Sequence, residues 1–319
     1  MKIVQKHIRH GVSHIALDFG LLEVDTNVPF DIYIQKDKNY IIILDAGTLL
    51  TSKIYSMLSN QKTLYIAKLD KGKQELNCTN LDSYVKFNKD LSKKNIQFIY
   101  KITSELFVNM SDNKYNPSKI ACIETIVKSI IFLIQHKKGY LRNTIEYFSN
   151  EYELAFHSLH VTIYAINLGN ALKLDNEQLL DLGTAALLHD IGLTKIDREI
   201  THKNRELTPQ EIVIISEHPK LSIELIEHNH IHNPYIIDAV MHHHERYDGS
   251  GYPDQLYEHQ MSQFASILAI CDVFDALTNN RPYREKYSPF EALKLMMKDS
   301  SMQNKFNDHY LQIFLKTLI

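Results

Sequence analysis

The sequence predicts a mostly helical protein: a small α/β module at the N-terminus followed by an all-α C-terminal domain. Three observations carry this. Residues 28–46, VPFDIYIQKDKNYIIILDA, form two β-rich runs around a polar turn. From residue 91 onward the apolar residues recur at helical spacing. Of 17 histidines, 13 lie after residue 150, so an unusual polar content is confined to the helical half.

The elements follow in order. The two runs of residues 28–46 turn at Gln35 to Asn39 and make a hairpin; Thr51 to Leu58 is helical and Thr63 to Ala67 is a strand. Residues 1–90 are expected to form an α/β regulatory module, which carries no recognisable chemical motif. Residues 91–148 hold connecting helices, with Ile99, Ile102 and Leu106 on one face, Ile123, Ile126, Val127, Ile130, Ile131 and Ile134 on another, and a break at residues 111–117. Residues 149–319 are all helix. Asp175 with Gln178 is a capping box, and the run it opens ends near Gly192. Thr208, Pro209 and Glu211 supply an N-cap, a first-turn proline and an acid three residues on. Ser262 caps a helix reaching about Leu277.

Composition narrows the function. A net charge of -3 over 319 residues, with no basic stripe, argues against a nucleic acid polymer or a membrane surface as partner. Cys78, Cys122 and Cys271 are odd in number and far apart, which argues against a disulfide framework and for a reducing compartment. The longest apolar stretch, residues 126–134, is interrupted by Lys128 and far short of the ~20 residues that span a bilayer. A cytoplasmic location is the expectation.

The polar residues of the helical half point to a metal. Glu153 and His157 are four apart and share a helix face. His189 and Asp190, in LLHDIG, diverge by about 100° on a helix and can serve two neighbouring ions. His218, in SEHP, the run His243, His244 and Glu245, and Asp272, in LAICDVFDAL, complete the set. Imidazole and carboxylate without thiolate suit iron, manganese or zinc in an open hydrolytic site. One His-Asp pair alone would more often be a hydrogen-bonded core pair. His228, His230 and His232 read as solvated loop residues, His160 and His202 as structural or surface, and His242 as an extension of the pair beside it. Asp275 is either a supporting acid behind the ligands or helix surface.

The joint order of Glu153, His157, His189-Asp190, His218, His243-His244, the GYP at 251–253 and Asp272 resembles the HD-GYP family, cyclic dinucleotide phosphodiesterases within the HD superfamily of metal-dependent phosphohydrolases. The likeness covers roughly residues 150–319, including KNRELTPQE, HHERYDGSGYP and AICDVFDALTNNRPYR. It implies an HD-type helical domain that binds two or three divalent ions, iron or manganese, and opens cyclic di-GMP to pGpG, often onward to GMP, in bacterial second-messenger signalling. It also implies the ligands Glu153, His157, His189, Asp190, His218, His243, His244 and Asp272, with Asp190 bridging two metals and forming the catalytic core with His189. Arg281 and Arg284 fall where the family places phosphate contacts, and Tyr252 stands beside the substrate or packs the loop. One departure is Leu193, where HDIGK would place a phosphate-contacting lysine; Lys195 lies two residues on and leaves the chain in another direction. That departure favours an alternative in which a weakly active or inactive domain senses a cyclic dinucleotide or engages a signalling protein. A phosphohydrolase of monomeric nucleotides would not explain the GYP loop. A homodimer or a signalling partner fits either reading.

Overall fold

The computed structural model describes residues 14–67 with short gaps, 93–136 apart from 112–114, 154–279 apart from 202 and 204, and 286–318. The chain divides into two compact units, residues 1–80 and 81–319.

Among its described residues the first unit is an antiparallel sheet with one helix. Strands β1 (His14–Ala16), β2 (Ile32–Lys36), β3 (Asn39–Leu44) and β4 (Tyr65–Ala67) lie in the order β1-β4-β2-β3. The β2–β3 hairpin turns at Asp37, whose φ of 56° suits a short polar side chain that tolerates the left-handed region. Helix α1 (Ser52–Ser59) starts where the Thr51 hydroxyl accepts the Ile54 amide. Leu17, Leu22, Val28, Ile32, Leu50, Leu58 and Leu64 form one buried apolar cluster, with Ile54 and Tyr55 of α1 and Ile34, Ile43 and Leu44 of the sheet packed against it. β1 was not legible in the sequence, being three residues long and dependent on β4 for its partners.

The second unit is all helix among its described residues: α2 (Lys93–Met110), α3 (Pro117–His136), α4 (Leu154–Ala171), α5 (Asn176–Leu188), α6 (Arg198–Thr201), α7 (Pro209–Ser216), α8 (His218–His228), α9 (Pro234–His242), α10 (Gln263–Thr278), α11 (Pro289–Lys298) and α12 (Asp308–Leu318). Helix α4 is buried almost all round, as LAFHSLHVTIYAINLGNA requires of a helix with no polar face, and α2, α3, α5, α10 and α12 all pack on it. The described part of residues 91–148, expected to connect, contributes α2 and α3, which share this core: Ile126, Val127, Ile130 and Leu133 are fully buried. The caps at Asp175, Thr208 and Ser262 form as the sequence predicts.

Cys271 is a free buried thiol. No described helix is long and apolar enough to cross a membrane.

Candidate metal centre

Helix ends build the site. Helix α5 stops at Leu188, and His189 and Asp190 follow as it tightens into a 3-10 turn over Ile191–Lys195. Gly192 makes that path possible, since a Cβ there would stand 2.2 Å from the His218 carbonyl oxygen. Its amide donates to Ser222 Oγ at 2.8 Å, and the same hydroxyl donates to the His189 carbonyl at 2.8 Å, stitching the turn to α8. His218 opens α8 with Pro219 behind it; His243 and His244 leave the end of α9; His157 comes from α4 and Asp272 from α10. Segments far apart in sequence thus converge at one point beneath the surface.

The donor atoms fall into two groups. One atom each of Asp190, His218, His243 and His244 lies within 4.8 Å of the others, and the same holds for His157, His189 and Asp272. Asp190 touches both: Oδ1 is 3.0 Å from His218 Nε2 and 3.5 Å from His243 Nε2, while Oδ2 is 3.4 Å from His157 Nε2 and 3.5 Å from His189 Nε2. His157 Nε2 is also 3.3 Å from Asp272 Oδ1.

The imidazoles are turned inward by their outer nitrogens. Nδ1 of His189, His218 and His243 donates to the carbonyls of Ala186, Ile215 and Val240, each three residues earlier, at 2.8, 2.7 and 2.7 Å. That fixes the tautomer and leaves Nε2 as the inward atom. Nε2 of His218 and His243 lie only 3.2 Å apart, a separation that requires a proton or a cation between them. His189 Nε2 and Asp190 Oδ1 are buried with no hydrogen-bond partner among the described residues; the 3.0 Å approach of His218 to Asp190 is not aligned as a hydrogen bond. Buried polar atoms left in that state are costly. These residues therefore fit divalent cations.

The charge balance agrees. Burial works against ionised Asp190, yet His189 and His218 outweigh it and hold the carboxyl well below its usual range. Asp272 is held low in the same way by His157 and His244. Burial brings His189 down to about 4, so its ring is neutral at neutral pH. Burial also opposes a charge on His157, but hydrogen bonds with Asp190, Asp272 and Asp275 reverse this and raise its pKa above the ordinary value.

Glu245 does not join the cluster. Its buried carboxylate accepts the amides of Asp254 and Leu256 at 2.6 and 3.0 Å, folding the GYP loop back over His244. Gly251 fits beneath because a Cβ would stand 2.3 Å from Glu245 Cα. The loop lays the Tyr252 ring on His244, with centroids 4.7 Å apart. His242, read as an extension of the pair, instead ties Asp238 and Asp254 together at 2.9 and 3.1 Å. Lys195 donates to the Ser111 carbonyl at 3.0 Å, and Leu193 is half-buried. Glu153, Arg281, Arg284 and His202 lie outside the described residues.

Sequence reasoning missed two contributors. Ser222 gave no signal, because a hydroxyl mid-helix is common and only folding sets it against the HD turn. Arg246 reads as a charge in a loop, yet its guanidinium donates to the carbonyls of His243 and Glu245 at 3.2 and 2.8 Å and lies 5.3 Å over the Phe306 ring.

A family model described as HD domain matches residues 130–306, more than half of the chain. The chain belongs to the HD domain family. Curated relatives of this HD protein include the cyclic di-GMP phosphodiesterase PA4108 of Pseudomonas aeruginosa, 33% identical over 170 residues, which are 53% of this chain and 40% of the relative. The cyclic di-GMP phosphodiesterase response regulator RpfG of Xanthomonas campestris is 39% identical over 125 residues, 38% of this chain and 32% of its own. The 3'3'-cGAMP-specific phosphodiesterase 1 of Vibrio cholerae is 33% identical over 148 residues, 46% of this chain and 33% of its own. The matched part thus spans less than half the length of these relatives. Among solved structures, Bd1817, an HDG"Y"P protein from Bdellovibrio bacteriovorus, superposes with a TM-score of 0.62 at 18% identity, covering 96% of this chain and 99% of that one, a likeness of fold. The kinship expected from the motifs is borne out.

Proposed function

We propose that this HD protein is a metal-dependent phosphodiesterase that hydrolyses cyclic di-GMP to pGpG, GMP or both. The observation that carries the reading is Asp190, whose two oxygens face two separate donor groups, as a carboxylate shared by two cations requires. His157, His189, Asp190 and Asp272 would hold one ion and Asp190, His218, His243 and His244 the other, with Glu153 available to a third. Imidazole and carboxylate donors suit iron, manganese or zinc, and the resemblance to the HD-GYP family points to iron or manganese. Divalent cations held there would lower the pKa of water and neutralise charge on phosphoryl oxygens.

The chain's own part is positioning. Backbone-anchored imidazoles present their Nε2 atoms without reorganising, and ionised Asp190 and Asp272 supply the negative charge that retains cations. Tyr252, stacked on His244 at the rim, offers an aromatic face to a guanine base, and Arg281 and Arg284 would meet the phosphates. The protein purified without oxygen, assayed on cyclic di-GMP with metal quantified, tests this: turnover should need bound Fe or Mn and stop on chelation. Full metal content with no hydrolysis would reject it.

A specific observation supports a second reading. Leu193 replaces a cation and Lys195 is engaged at Ser111, so phosphate binding beside the metals is weakened. In that reading the domain senses a cyclic dinucleotide, with tight binding and slow turnover. The likeness to a 3'3'-cGAMP-specific enzyme makes the mixed dinucleotide a necessary arm of the assay.

A further inference from the structure

His157 is held differently from the three imidazoles that rest on backbone carbonyls. Its Nδ1 is 2.7 Å from Asp275 Oδ2, while its Nε2 faces Asp190 and Asp272. Asp275 lies one turn beyond Asp272 on α10, and His160 one turn beyond His157 on α4, so two acids meet two histidines across one helix contact. The second oxygen of Asp275 is 3.0 Å from His160 Nδ1 and accepts Asn279 Nδ2 at 2.7 Å. The carboxylate is 1% exposed and belongs to neither donor group, so it is not itself a ligand.

We propose that Asp275 is a positioning residue for one of two cation positions: it keeps His157 protonated on Nδ1, aims Nε2 at the group shared with His189 and Asp272, and sets the affinity there alone. The proposal rests on the reading that the cluster binds divalent cations. A carboxylate behind an imidazole makes a charge-assisted hydrogen bond, firmer than one to a carbonyl, and makes the ring a stronger donor. Among the described residues, His218 and His243 of the other position rest on the backbone carbonyls of Ile215 and Val240, and His244 Nδ1 lies 3.6 Å from Asp272 Oδ2, beyond hydrogen-bond distance, so no carboxylate stands behind an imidazole there as Asp275 does behind His157. The two positions therefore differ in what maintains them, and removal of Asp275 reaches only one. A purely structural role, clasping α4 to α10 through His160, predicts something else: loss of stability with both positions affected alike.

The experiment is titration of Mn2+ into metal-stripped full-length protein, followed by the spin-resonance signal of free Mn2+, with melting temperature recorded on each preparation. Asp275→Asn keeps the shape but offers one acceptor oxygen without charge; Asp275→Ala removes the group; His160→Phe removes the second partner and leaves the Asp275–His157 contact. Wild type and His160→Phe should bind at least two ions per chain with equal affinities. Both Asp275 variants should bind one ion as wild type does and another roughly 10–100-fold more weakly. Equal weakening of every ion, no weakening, or the same loss in His160→Phe overturns the proposal. Wild type that binds no Mn2+ sinks the metal reading and this inference with it, whereas two ions unaffected by Asp275→Asn sinks the inference alone.

Discussion

The sheet unit and the helical unit treat buried polarity in opposite ways. Among the described residues, every buried side chain before residue 80 is apolar or, in Tyr33, aromatic, and the core there is Val28, Ile32, Leu50, Leu58 and Leu64. The helical unit, with an equally apolar core around α4, also buries His157, His160, His189, Asp190, His218, His243, Glu245, Asp272 and Asp275. Ionised groups are expensive away from water unless paired or bound to a cation. Among the described residues the first unit buries no ionised side chain, its nearest approach being the two ring nitrogens of His14, whereas the second buries Lys119 on α3 and gathers the rest around the HD turn. The lesson is that the sheet unit is built for stability and the helical unit spends stability on a site.

Substitutions should separate the two. The largest effect is expected of Asp190→Ala, which removes the carboxylate facing both donor groups: hydrolysis should be lost and metal affinity fall by more than ~100-fold, beyond what loss of an outer partner costs. Near-normal turnover with full metal content would break the comparison. Ile32→Ala in the sheet core, where the side chain is fully buried, should cost about 2–5 kcal/mol while metal per folded chain stays at the wild-type value. Denaturant melts paired with metal analysis check it, and a parallel loss of metal would show that the units are not separable in this way.

Leu193→Lys tests the gap beside the metals. A charge-assisted phosphate contact of about 1.5–3 kcal/mol gives roughly a tenfold or larger gain in kcat/KM on cyclic di-GMP. Unchanged metal and melting temperature with no kinetic gain would remove Leu193 as a limit on catalysis. The smallest effect concerns Glu211, which closes the α7 capping box and is paired with Lys203 and Arg205, contacts that lower its pKa to about 2. A carboxylate depressed in the folded state stabilises above its ordinary 4.5, and that contribution disappears as pH falls toward 2. Urea midpoints of wild type and Glu211→Gln should therefore differ most near neutrality and converge in acid; a constant difference would assign the effect to geometry rather than charge.

The sequence by itself determined the helical half, the hairpin and the identity of the polar set, because local capping, apolar periodicity and an ordered motif are each written in neighbouring residues. Asp175, Thr208 and Ser262 cap helices through contacts within three residues, so no distant partner was needed to predict them. What each polar residue does was decided only by tertiary structure. Glu245 and His243 are two apart in sequence, yet one folds the GYP loop and the other turns its Nε2 toward Asp190. Asp275 read equally well as helix surface until α4 was set against α10 and His157 and His160 met its two oxygens. The physical reason is reach: capping and periodicity act over a turn of helix, whereas Asp275 and His157 are 118 residues apart and meet only because packing α4 against α10 brings them together in a buried place where polar atoms must be paired.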